Sequence, residues 1–477
     1  MANVQKFLLG GQWRTSRETI DIRNPYNGQW VSTVALAGKG EAELALQAAA
    51  RAFHETRKVP VYRRVEIFQR ILQGISERRA ELARTITLES GKPISASLLE
   101  VDRCLFNFTC AMEESKRIGG EVIPADLKPW GAGRFALTQR FPVGPVLGIG
   151  PFNFPLNLCA HKVAPALAAG NSLILKPPSA CPGPALKLGE IVSAAGAPDG
   201  WLNVIPCRTE VAEIFVRDDR IRRISFTGST AAGYRVKSLA GKKPVILELG
   251  GNAAVIVHED APQELAAARI AAGGYGQAGQ SCIAVQRVFI HEPIYGSFLD
   301  RLVEATGKVR VGDPLDPETV VGPMITERDA VRVEEWVQAA VEEGARILTG
   351  GKREGAIYLP TILADVRPAM KVSCEELFAP VITIERYRDF EDAVRRVNDS
   401  RYGLQAGIFT QDIGRIFSAF KDLEAGGVLV NEVPTFRMDH LPYGGVKDSG
   451  LGREGARYAI EETTEVKALI LRLPEAE

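Results

Sequence analysis

One cysteine stands where a nucleophile could act. Cys282 ends the segment 275–282 (YGQAGQSC), in which Gly276 and Gly279 allow tight bends and the close approach of a ligand to the backbone. A thiolate is a strong nucleophile, and a thiol on a loop that leads into rigid structure can meet a substrate. A free cysteine is more often a buried structural residue, so Cys282 needs support from the rest of the chain. We expect the apolar residues at 283, 285 and 288 to form a strand.

Two other segments supply groups that could assist a thiol. Glu248 ends an apolar run, and a carboxylate in apolar surroundings has a raised pKa, which makes it a usable base near neutral pH. Alternatively, Glu248 forms an ion pair with a lysine or arginine. Asn153 lies in 151–155 (PFNFP), where prolines and aromatic residues restrict the backbone, and a fixed amide can stabilise an oxyanion. Its alternative is a helix cap.

Three further segments could bind a nucleotide. In 226–233 (FTGSTAAG) a predicted strand turns at glycine into a helix, whose N–H groups could bind a phosphate or simply be capped. The segment lacks the lysine of a P-loop and the GxGxxG pattern, which excludes a nucleoside triphosphatase. Lys176 ends another predicted strand, unless it is an ordinary surface lysine. Glu376 and Phe378 would share a face in an extended piece, where the carboxylate could bind ribose hydroxyls and the ring could pack on a flat ligand.

These segments belong to a chain that alternates strand and helix. Apolar strands and intervening helices between 142 and 257 predict a parallel sheet covered on both faces, which binds ligands at the carboxyl ends of its strands. A second α/β block follows between 263 and 427. Helical periodicity covers 41–91 and 95–119, and residues 121–141 read as either a surface loop or an arm that leaves the domain.

Composition limits the classes of protein. The 477 residues carry no net charge, so neither a nucleic-acid nor a membrane partner is predicted. Seven scattered cysteines without CxxC spacing predict neither a metal site nor a disulfide framework. Without a signal sequence or an apolar span, we expect a cytoplasmic protein.

In this order, the motifs resemble the NAD(P)-dependent aldehyde dehydrogenase superfamily, in its lactaldehyde and semialdehyde branch. The resemblance spans essentially the whole chain and rests on seven motifs: 151–155, Lys176, 226–233, 248–251, 279–282, 376–378 and 442–447 (PYGGVK). It implies an α/β fold with a Rossmann-type parallel-sheet cofactor domain, an α/β catalytic domain and a β oligomerisation arm. The implied division is 1–122 with 142–252 for the cofactor domain, 253–430 for catalysis, 123–141 with 455–477 for the arm, and 431–454 as a loop that returns to the cofactor domain. A homodimer or homotetramer is implied.

The resemblance also implies roles for the candidates. Cys282 would attack the aldehyde to give a thiohemiacetal, Asn153 and the Cys282 backbone N–H would hold the oxyanion, and hydride transfer would leave a thioester. Glu248 would activate the water that releases the acid. NAD or NADP would be bound by Pro151, Phe152, Lys176, Ser179, Phe226, Gly228, Ser229, Gly233, Leu249, Glu376 and Phe378.

The residue three positions after Lys176 bears on the choice of coenzyme. NAD-preferring members of the family commonly carry glutamate there, which repels a 2′-phosphate, whereas this chain has Ser179. Arg208 could add attraction. We therefore expect NADP to be accepted and even preferred.

The substrate is predicted to be a small hydroxy-aldehyde or semialdehyde. No basic residue lies between Gly273 and Cys282, so the candidates for binding an anionic tail are Arg437 and His440. Arg437 could instead pair with Asp439 or contact another subunit. Two alternatives are a CoA-acylating semialdehyde dehydrogenase and a non-catalytic protein with the same fold. A cysteine hydrolase is disfavoured, because no histidine lies in a suitable motif.

Overall fold

A computed structural model describes residues 4–472. The helices of this part of the chain are α1 Lys39–Thr56, α2 Val61–Glu77, α3 Arg79–Ser90, α4 Ile94–Ser115, α5 Asn157–Ala169, α6 Gly183–Ala194, α7 Thr209–Arg217, α8 Thr230–Leu239, α9 Gln263–Tyr275, α10 Tyr295–Gly307, α11 Glu327–Glu342, α12 Lys371–Cys374, α13 Phe390–Asn398, α14 Ile413–Asp422 and α15 Ala456–Glu462.

The strands of the same residues are β1 Val4–Gln5, β2 Phe7–Leu9, β3 Gln12–Arg14, β4 Thr19–Arg23, β5 Trp30–Ala35, β6 Val122–Ile123, β7 Arg134–Pro142, β8 Val146–Ile149, β9 Leu173–Lys176, β10 Leu202–Val204, β11 Arg223–Thr227, β12 Val245–Glu248, β13 Ala254–Val257, β14 Arg287–His291, β15 Arg346–Thr349, β16 Arg353–Glu354, β17 Ile357–Tyr358, β18 Thr361–Ala364, β19 Val381–Tyr387, β20 Tyr402–Gly403, β21 Gln405–Phe409, β22 Gly427–Val430, β23 Val446–Lys447, β24 Gly450–Leu451 and β25 Thr464–Arg472.

The first large sheet explains where a nucleotide could bind. Its eight strands run in the order β24-β12-β11-β8-β9-β10-β2-β3, and the five from β12 to β10 are parallel. The chain builds outward from β8 through β9 and β10, then returns to add β11 and β12 on the other side. The strand order therefore reverses between β8 and β11, and in open α/β sheets ligands bind outside the carboxyl ends at such a point. The segments 151–155 and 228–233 follow those two strands.

The second sheet has seven strands in the order β15-β18-β19-β14-β13-β21-β22, all parallel except the β15–β18 pair. β13 and β14 are almost entirely buried, because helices cover both faces. The nucleophile segment connects α9 to β14 and so joins this sheet to the coenzyme side of the molecule.

Residues 121–141 are not a simple loop. β7 pairs antiparallel with β25 over nine residues, from Thr464 opposite Pro142 to Arg472 opposite Arg134, and β6 adds a third strand. Several apolar side chains of this three-stranded sheet are exposed, among them Val122, Val466 and Ile470. The domain boundaries inferred from the sequence stay a prediction, and residues 473–477 of the predicted arm lie outside the described part.

The helical pattern expected over 41–91 is confirmed as three helices, which Pro60 and the non-helical backbone at Arg78 separate. The expectation for the residues after Cys282 needs correction. The strand expected directly after Cys282 begins only at Arg287. The preceding residues form a turn, in which the Ala284 N–H donates to the Ser281 carbonyl. None of the helices in residues 4–472 is long and apolar enough to cross a membrane.

Candidate active site

The backbone before Cys282 is strained. Gln277 and Ala278 have φ of 55°, and Gly279 has φ of 66°, so three successive residues are left-handed. Glycine is required at 279, since a Cβ there would lie 2.1 Å from the Ala379 carbonyl oxygen. A left-handed conformation costs a non-glycine residue roughly 1–2 kcal/mol. Strain held by surrounding structure is typical of functional loops.

The thiol of Cys282 faces a cavity and one hydroxyl. Its Sγ lies 3.4 Å from the Tyr443 hydroxyl oxygen. Burial raises the pKa of Cys282 to about 12, and the hydrogen bond from Tyr443 opposes that rise. A polar partner that stabilises the thiolate is therefore built into the site.

Asn153 lies in the turn after β8, where its side-chain amide is fixed on both sides. Its Oδ1 accepts a hydrogen bond from the Phe154 N–H at 3.1 Å, and its Nδ2 donates to the Gln280 carbonyl at 3.0 Å. These two partners define which amide atom is nitrogen. Because an amide nitrogen carries two hydrogens, one remains for a ligand.

Glu248 ends β12 with its carboxyl group buried. Both carboxyl oxygens lack a hydrogen-bond partner among the described residues. Burial raises the pKa of Glu248 well above its usual value, and the negative charge of Glu454 adds to this. The charges of Glu248 and Cys282 are close enough to influence each other. The structure therefore holds a buried carboxyl group with a raised pKa within electrostatic range of the thiol.

A buried ionic network supports this region. Lys162 Nζ lies 3.1 Å from Glu454 Oε1 and donates to Thr227 Oγ1 at 2.7 Å, while Arg437 lies 3.0 Å from Glu454 Oε2. Burial by itself would raise the pKa of Glu454, but the charges of Lys162, His161 and Arg437 outweigh it and lower the pKa to about 2. Glu454 is therefore ionised at neutral pH.

Asp439 joins two arginines and a histidine. It accepts two hydrogen bonds from Arg103, at 2.9 and 2.7 Å, lies 2.9 Å from His161 Nε2, and is 3.6 Å from Arg437. Its burial opposes ionisation, yet His161 and Arg103 hold the pKa of Asp439 well below its usual range. Burial and the charge of Arg437 lower the pKa of His161, and Asp439 and Glu454 oppose this effect.

These contacts surround a cavity of about 240 Å³ that reaches Cys282. Arg103 from α4 and Arg437 both line it, together with Gln277 and Tyr443. Arg437 also stacks 3.5 Å above the Tyr443 ring. Both arginines are paired with carboxylates, Arg103 with Asp439 and Arg437 with Glu454, and Glu100, which also lines the cavity, is paired with the buried Lys92.

His440 departs from its predicted place. It is exposed, packs edge-on against Phe106 with ring centroids 5.6 Å apart, and does not line this cavity. Arg437, by contrast, does line it, although its ion pairs with Asp439 and Glu454 match the alternative considered from sequence.

The coenzyme candidates meet along the carboxyl edge of the first sheet. Lys176 ends β9, and its Nζ donates to the hydroxyl of the exposed Ser179 at 3.0 Å. Cys207 lies close enough to Lys176 to influence its pKa. Arg208, the residue after Cys207, forms an ion pair with Glu18 on the surface. An adenosine ribose would find hydroxyl and ammonium donors here.

A second part of this edge offers a close approach to the backbone. Ser229 caps α8, accepting the Ala232 N–H at 3.4 Å. A Cβ at Gly228 would lie 2.8 Å from the Phe226 ring, and one at Gly233 would lie 2.3 Å from Leu249. Only glycine lets α8 approach Leu249 so closely, and it leaves the helix N-terminus open to a phosphate.

A third part presents a carboxylate next to aromatic rings. Glu376 Oε1 accepts the Gly251 N–H at 3.0 Å, and burial raises the pKa of Glu376 to about 7. Phe378 has a left-handed backbone conformation, and its ring packs edge-on against that of Phe152, with ring centroids 5.8 Å apart. Phe152 directly follows the partly buried Pro151. The glycine cradle and these polar groups fit a dinucleotide that extends from Ser179 towards Cys282.

Sequence reasoning missed several residues of the site. Tyr443 lies in the motif 442–447, which carries the family resemblance but predicts no role for this residue, and Arg103 looks like any exposed residue of an amphipathic helix. Lys162 had one signal, a charge within the apolar run of α5, all of whose residues are buried. Glu454 and Gln277 had none.

A second cluster of titratable groups could in principle hold a metal ion. Within residues 4–472, His258, Glu259 and His291 form a group of potential metal ligands. The two rings are stacked, with centroids 4.3 Å apart and planes 12° from parallel. Their in-plane lone pairs therefore run side by side instead of converging on one point, which favours an aromatic stack with Tyr387 over a preformed metal centre.

The parallel sheets and the glycine-lined crevice at their carboxyl ends are typical of a coenzyme-dependent dehydrogenase. Residues 13–469 match the family model described as the aldehyde dehydrogenase family, and the chain belongs to this family. It uses NAD(P) to oxidise an aldehyde.

Named relatives cover almost the whole chain. A 3-sulfolactaldehyde dehydrogenase of Priestia megaterium is 44% identical over 98% of this chain and 97% of its own length. A lactaldehyde dehydrogenase of Methanocaldococcus jannaschii is 38% identical over 97% of this chain and 99% of its own.

Solved structures agree with the fold. Aldehyde dehydrogenase 21 from Physcomitrella patens, in complex with the reaction product succinate, has a TM-score of 0.96 and 40% identity, with 99% of each chain covered. The NADP-dependent glyceraldehyde-3-phosphate dehydrogenase from Bacillus halodurans, complexed with NADP, has a TM-score of 0.96 and 35% identity, covering 99% of this chain and 100% of that one.

Proposed function

We propose that this protein oxidises a short aldehyde with an anionic end, of the sulfolactaldehyde type, to the acid, with NADP as the preferred coenzyme. The observation that carries the proposal is the cavity in which Cys282 shares the walls with Arg103 and Arg437. A guanidinium binds a sulfonate or carboxylate through charge-assisted hydrogen bonds. The relatives that act on sulfolactaldehyde, and the one seen with succinate, support an anionic ligand.

We propose the following roles for the site residues in the reaction. The Cys282 thiolate bonds to the aldehyde carbon, and the carbonyl oxygen becomes an oxyanion that the free Asn153 amide hydrogen stabilises. NADP, when bound, supplies the hydride acceptor. Glu248 takes a proton from the water that attacks the resulting thioester, which releases the acid and restores the thiol. Tyr443 donates a hydrogen bond to the Cys282 sulfur while the sulfur carries negative charge.

The coenzyme residues act by binding and orientation. Ser229 and the N-terminus of α8 would hold the pyrophosphate, Lys176 and Ser179 the adenosine ribose, and Glu376 the other ribose. The neutral hydroxyl of Ser179 leaves room for a 2′-phosphate, and NADP-bound structures of relatives support the choice of NADP.

The test compares 3-sulfolactaldehyde, lactaldehyde and propanal, which share a short chain and differ in their end groups. We expect kcat/KM for the sulfonate to exceed that for lactaldehyde by at least about tenfold, as a desolvated ion pair allows. Arg103→Gln should raise KM for the sulfonate and leave propanal unchanged. Equal kcat/KM for all three would contradict the anionic-substrate proposal.

The CoA-acylating alternative is tested in the same assay. Glu248 disfavours it, since water activation competes with thiol acceptance. Added CoA should neither speed turnover nor appear as an acyl-CoA product, which mass spectrometry would detect.

We also propose that the three-stranded sheet assembles a homodimer or homotetramer. Its exposed apolar residues Val466, Leu469 and Ile470 support this. Sedimentation velocity should give an oligomer for the wild type and a smaller species for Leu469→Asp with Ile470→Asp.

A further inference from the structure

We propose that Gln277 is a positioning residue that fixes Asn153 relative to Cys282. Its side-chain Nε2 donates to the Asn153 backbone carbonyl at 2.5 Å, while Asn153 Nδ2 donates back to the Gln280 carbonyl at 3.0 Å. We call this pair of hydrogen bonds the clasp. The inference rests on the proposed role of Asn153 as oxyanion donor.

The clasp joins two segments that are distant in sequence. Asn153 follows β8 of the first sheet, whereas Gln277 and Gln280 precede β14 of the second. Cys282 lies only two residues beyond Gln280. The clasp therefore controls the relative position of the nucleophile and the group that meets the developing negative charge, and a displacement of about 1 Å there has a large effect on rate.

The backbone is held in an unfavourable conformation that aims Gln277 at Asn153. Gln277 is left-handed, and its N–H is tied to the Val320 carbonyl at 3.3 Å. Ala278, also left-handed, is fully buried. Glycine would adopt this conformation without strain, but it has no side chain to reach Asn153. A strained non-glycine residue at such a place points to a function for its side chain.

The other end of the loop is independently anchored. Gln280 Oε1 accepts the Ile325 N–H at 2.9 Å, and its Nε2 lies 3.4 Å from the Pro323 carbonyl. Loss of the Gln277 side chain would leave these bonds intact. We therefore expect Asn153 to become more mobile, while the nucleophile loop keeps its conformation.

Gln277 also lines the substrate cavity, so direct contact with the aldehyde is the competing explanation. The two explanations differ in what they change. A substrate contact alters KM and depends on the aldehyde's tail, whereas a positioning role lowers kcat for every aldehyde. The bond to Asn153 engages one of the two hydrogens of the Gln277 amide nitrogen.

Three substitutions separate the contributions of the hydrogen-bond donor, the side-chain shape and the backbone conformation at position 277. Gln277→Leu removes the donor, Gln277→Glu is isosteric but cannot donate while ionised, and Gln277→Asn suits a left-handed backbone but is one methylene too short. All three should lower kcat by about five- to tenfold, the loss typical of one hydrogen bond. The KM for aldehydes, the Kd for NADP and the Tm should change little. Glu introduced at the exposed Gln29 controls for added charge.

The pH profile of Gln277→Glu adds a signature that a structural role would not produce. When its carboxyl group is protonated, it can donate to the Asn153 carbonyl again. Its kcat relative to wild type should therefore recover as the pH falls, whereas the ratio for Gln277→Leu should stay flat.

A double-mutant cycle decides the question. If Gln277 acts through Asn153, then Gln277→Leu should cost less than about twofold in an Asn153→Ala background. The same five- to tenfold loss in both backgrounds would overturn the clasp and leave the oxyanion role standing. An Asn153→Ala variant with wild-type kcat would instead overturn the oxyanion role.

Discussion

The hydroxyl oxygen of Tyr443 lies 3.4 Å from the sulfur of Cys282, although 161 residues separate them in the chain. The Tyr443 ring is held under Arg437, at 3.5 Å from its guanidinium carbon. The hydroxyl therefore meets the thiol from a rigid ring that cannot turn away. It is the polar partner that opposes the effect of burial on the thiol.

Tyr443→Phe removes this hydroxyl and keeps the ring under Arg437. Without the donor, the pKa of Cys282 should rise further, so less thiolate forms at neutral pH. We expect alkylation by iodoacetamide and kcat/KM both to fall by roughly tenfold at pH 7, in line with a hydrogen bond to a charged group. Because the pKa of Cys282 lies above this range, the alkylation rate from pH 6 to 10 should rise with pH in both proteins and stay lower in the variant by this factor. Unchanged alkylation would show that Tyr443 has no influence on the thiolate.

Glu248→Gln should separate the two halves of the reaction. The thioester would form, but no base would activate water, so about one NADPH per site should appear rapidly and turnover should then fall by at least about a hundredfold. Stopped-flow absorbance at 340 nm measures both phases. Because burial raises the pKa of Glu248 and a base must be ionised, wild-type turnover should increase with pH, and this increase should vanish in the variant. Loss of the rapid phase would place Glu248 in an earlier step.

Glu376 makes coenzyme binding sensitive to pH. Its pKa is about 7, so only about a tenth of the group is ionised at pH 6 and about nine tenths at pH 8. The ionised carboxylate accepts hydrogen bonds from ribose hydroxyls better than the neutral acid does. NADP should therefore bind more tightly as the pH rises through 7, by several-fold in fluorescence titration. Glu376→Gln should abolish this dependence, and a persistent dependence in that variant would point to another group.

Ser179→Glu should reverse the choice of coenzyme. The new carboxylate would repel a 2′-phosphate, so kcat/KM for NADP should fall by at least about tenfold while that for NAD changes little. Arg208→Gln should cost NADP a smaller factor. Its ion pair with Glu18 is exposed to solvent and therefore weak, so Arg208 can exchange that partner for a phosphate. A wild-type preference for NAD would contradict the proposal outright.

Much of the molecule was predictable from local pattern. The β8–α5 and β11–α8 units have apolar strands and glycine turns that only a covered parallel sheet explains, and the structure confirms them. The boundaries of α2 and α3 were missed, because the apolar stripe continues across the break at Arg78. The pairing of β7 with β25 was not readable from residues alone, since 321 residues separate Arg140 from Glu461 at its base.

The reaction class could be predicted from the residues alone, because Asn153, Glu248 and Cys282 lie in short motifs whose order is specific to one family. The electrostatics of the pocket became visible only in the folded chain. It buries Lys162 beside Glu454, places Arg103 on Asp439 across 336 residues, and leaves His440 outside. Charges interact through space over a few ångströms, and a buried charge is strongly destabilising unless an opposite charge lies beside it. No local pattern records which distant residue that partner will be.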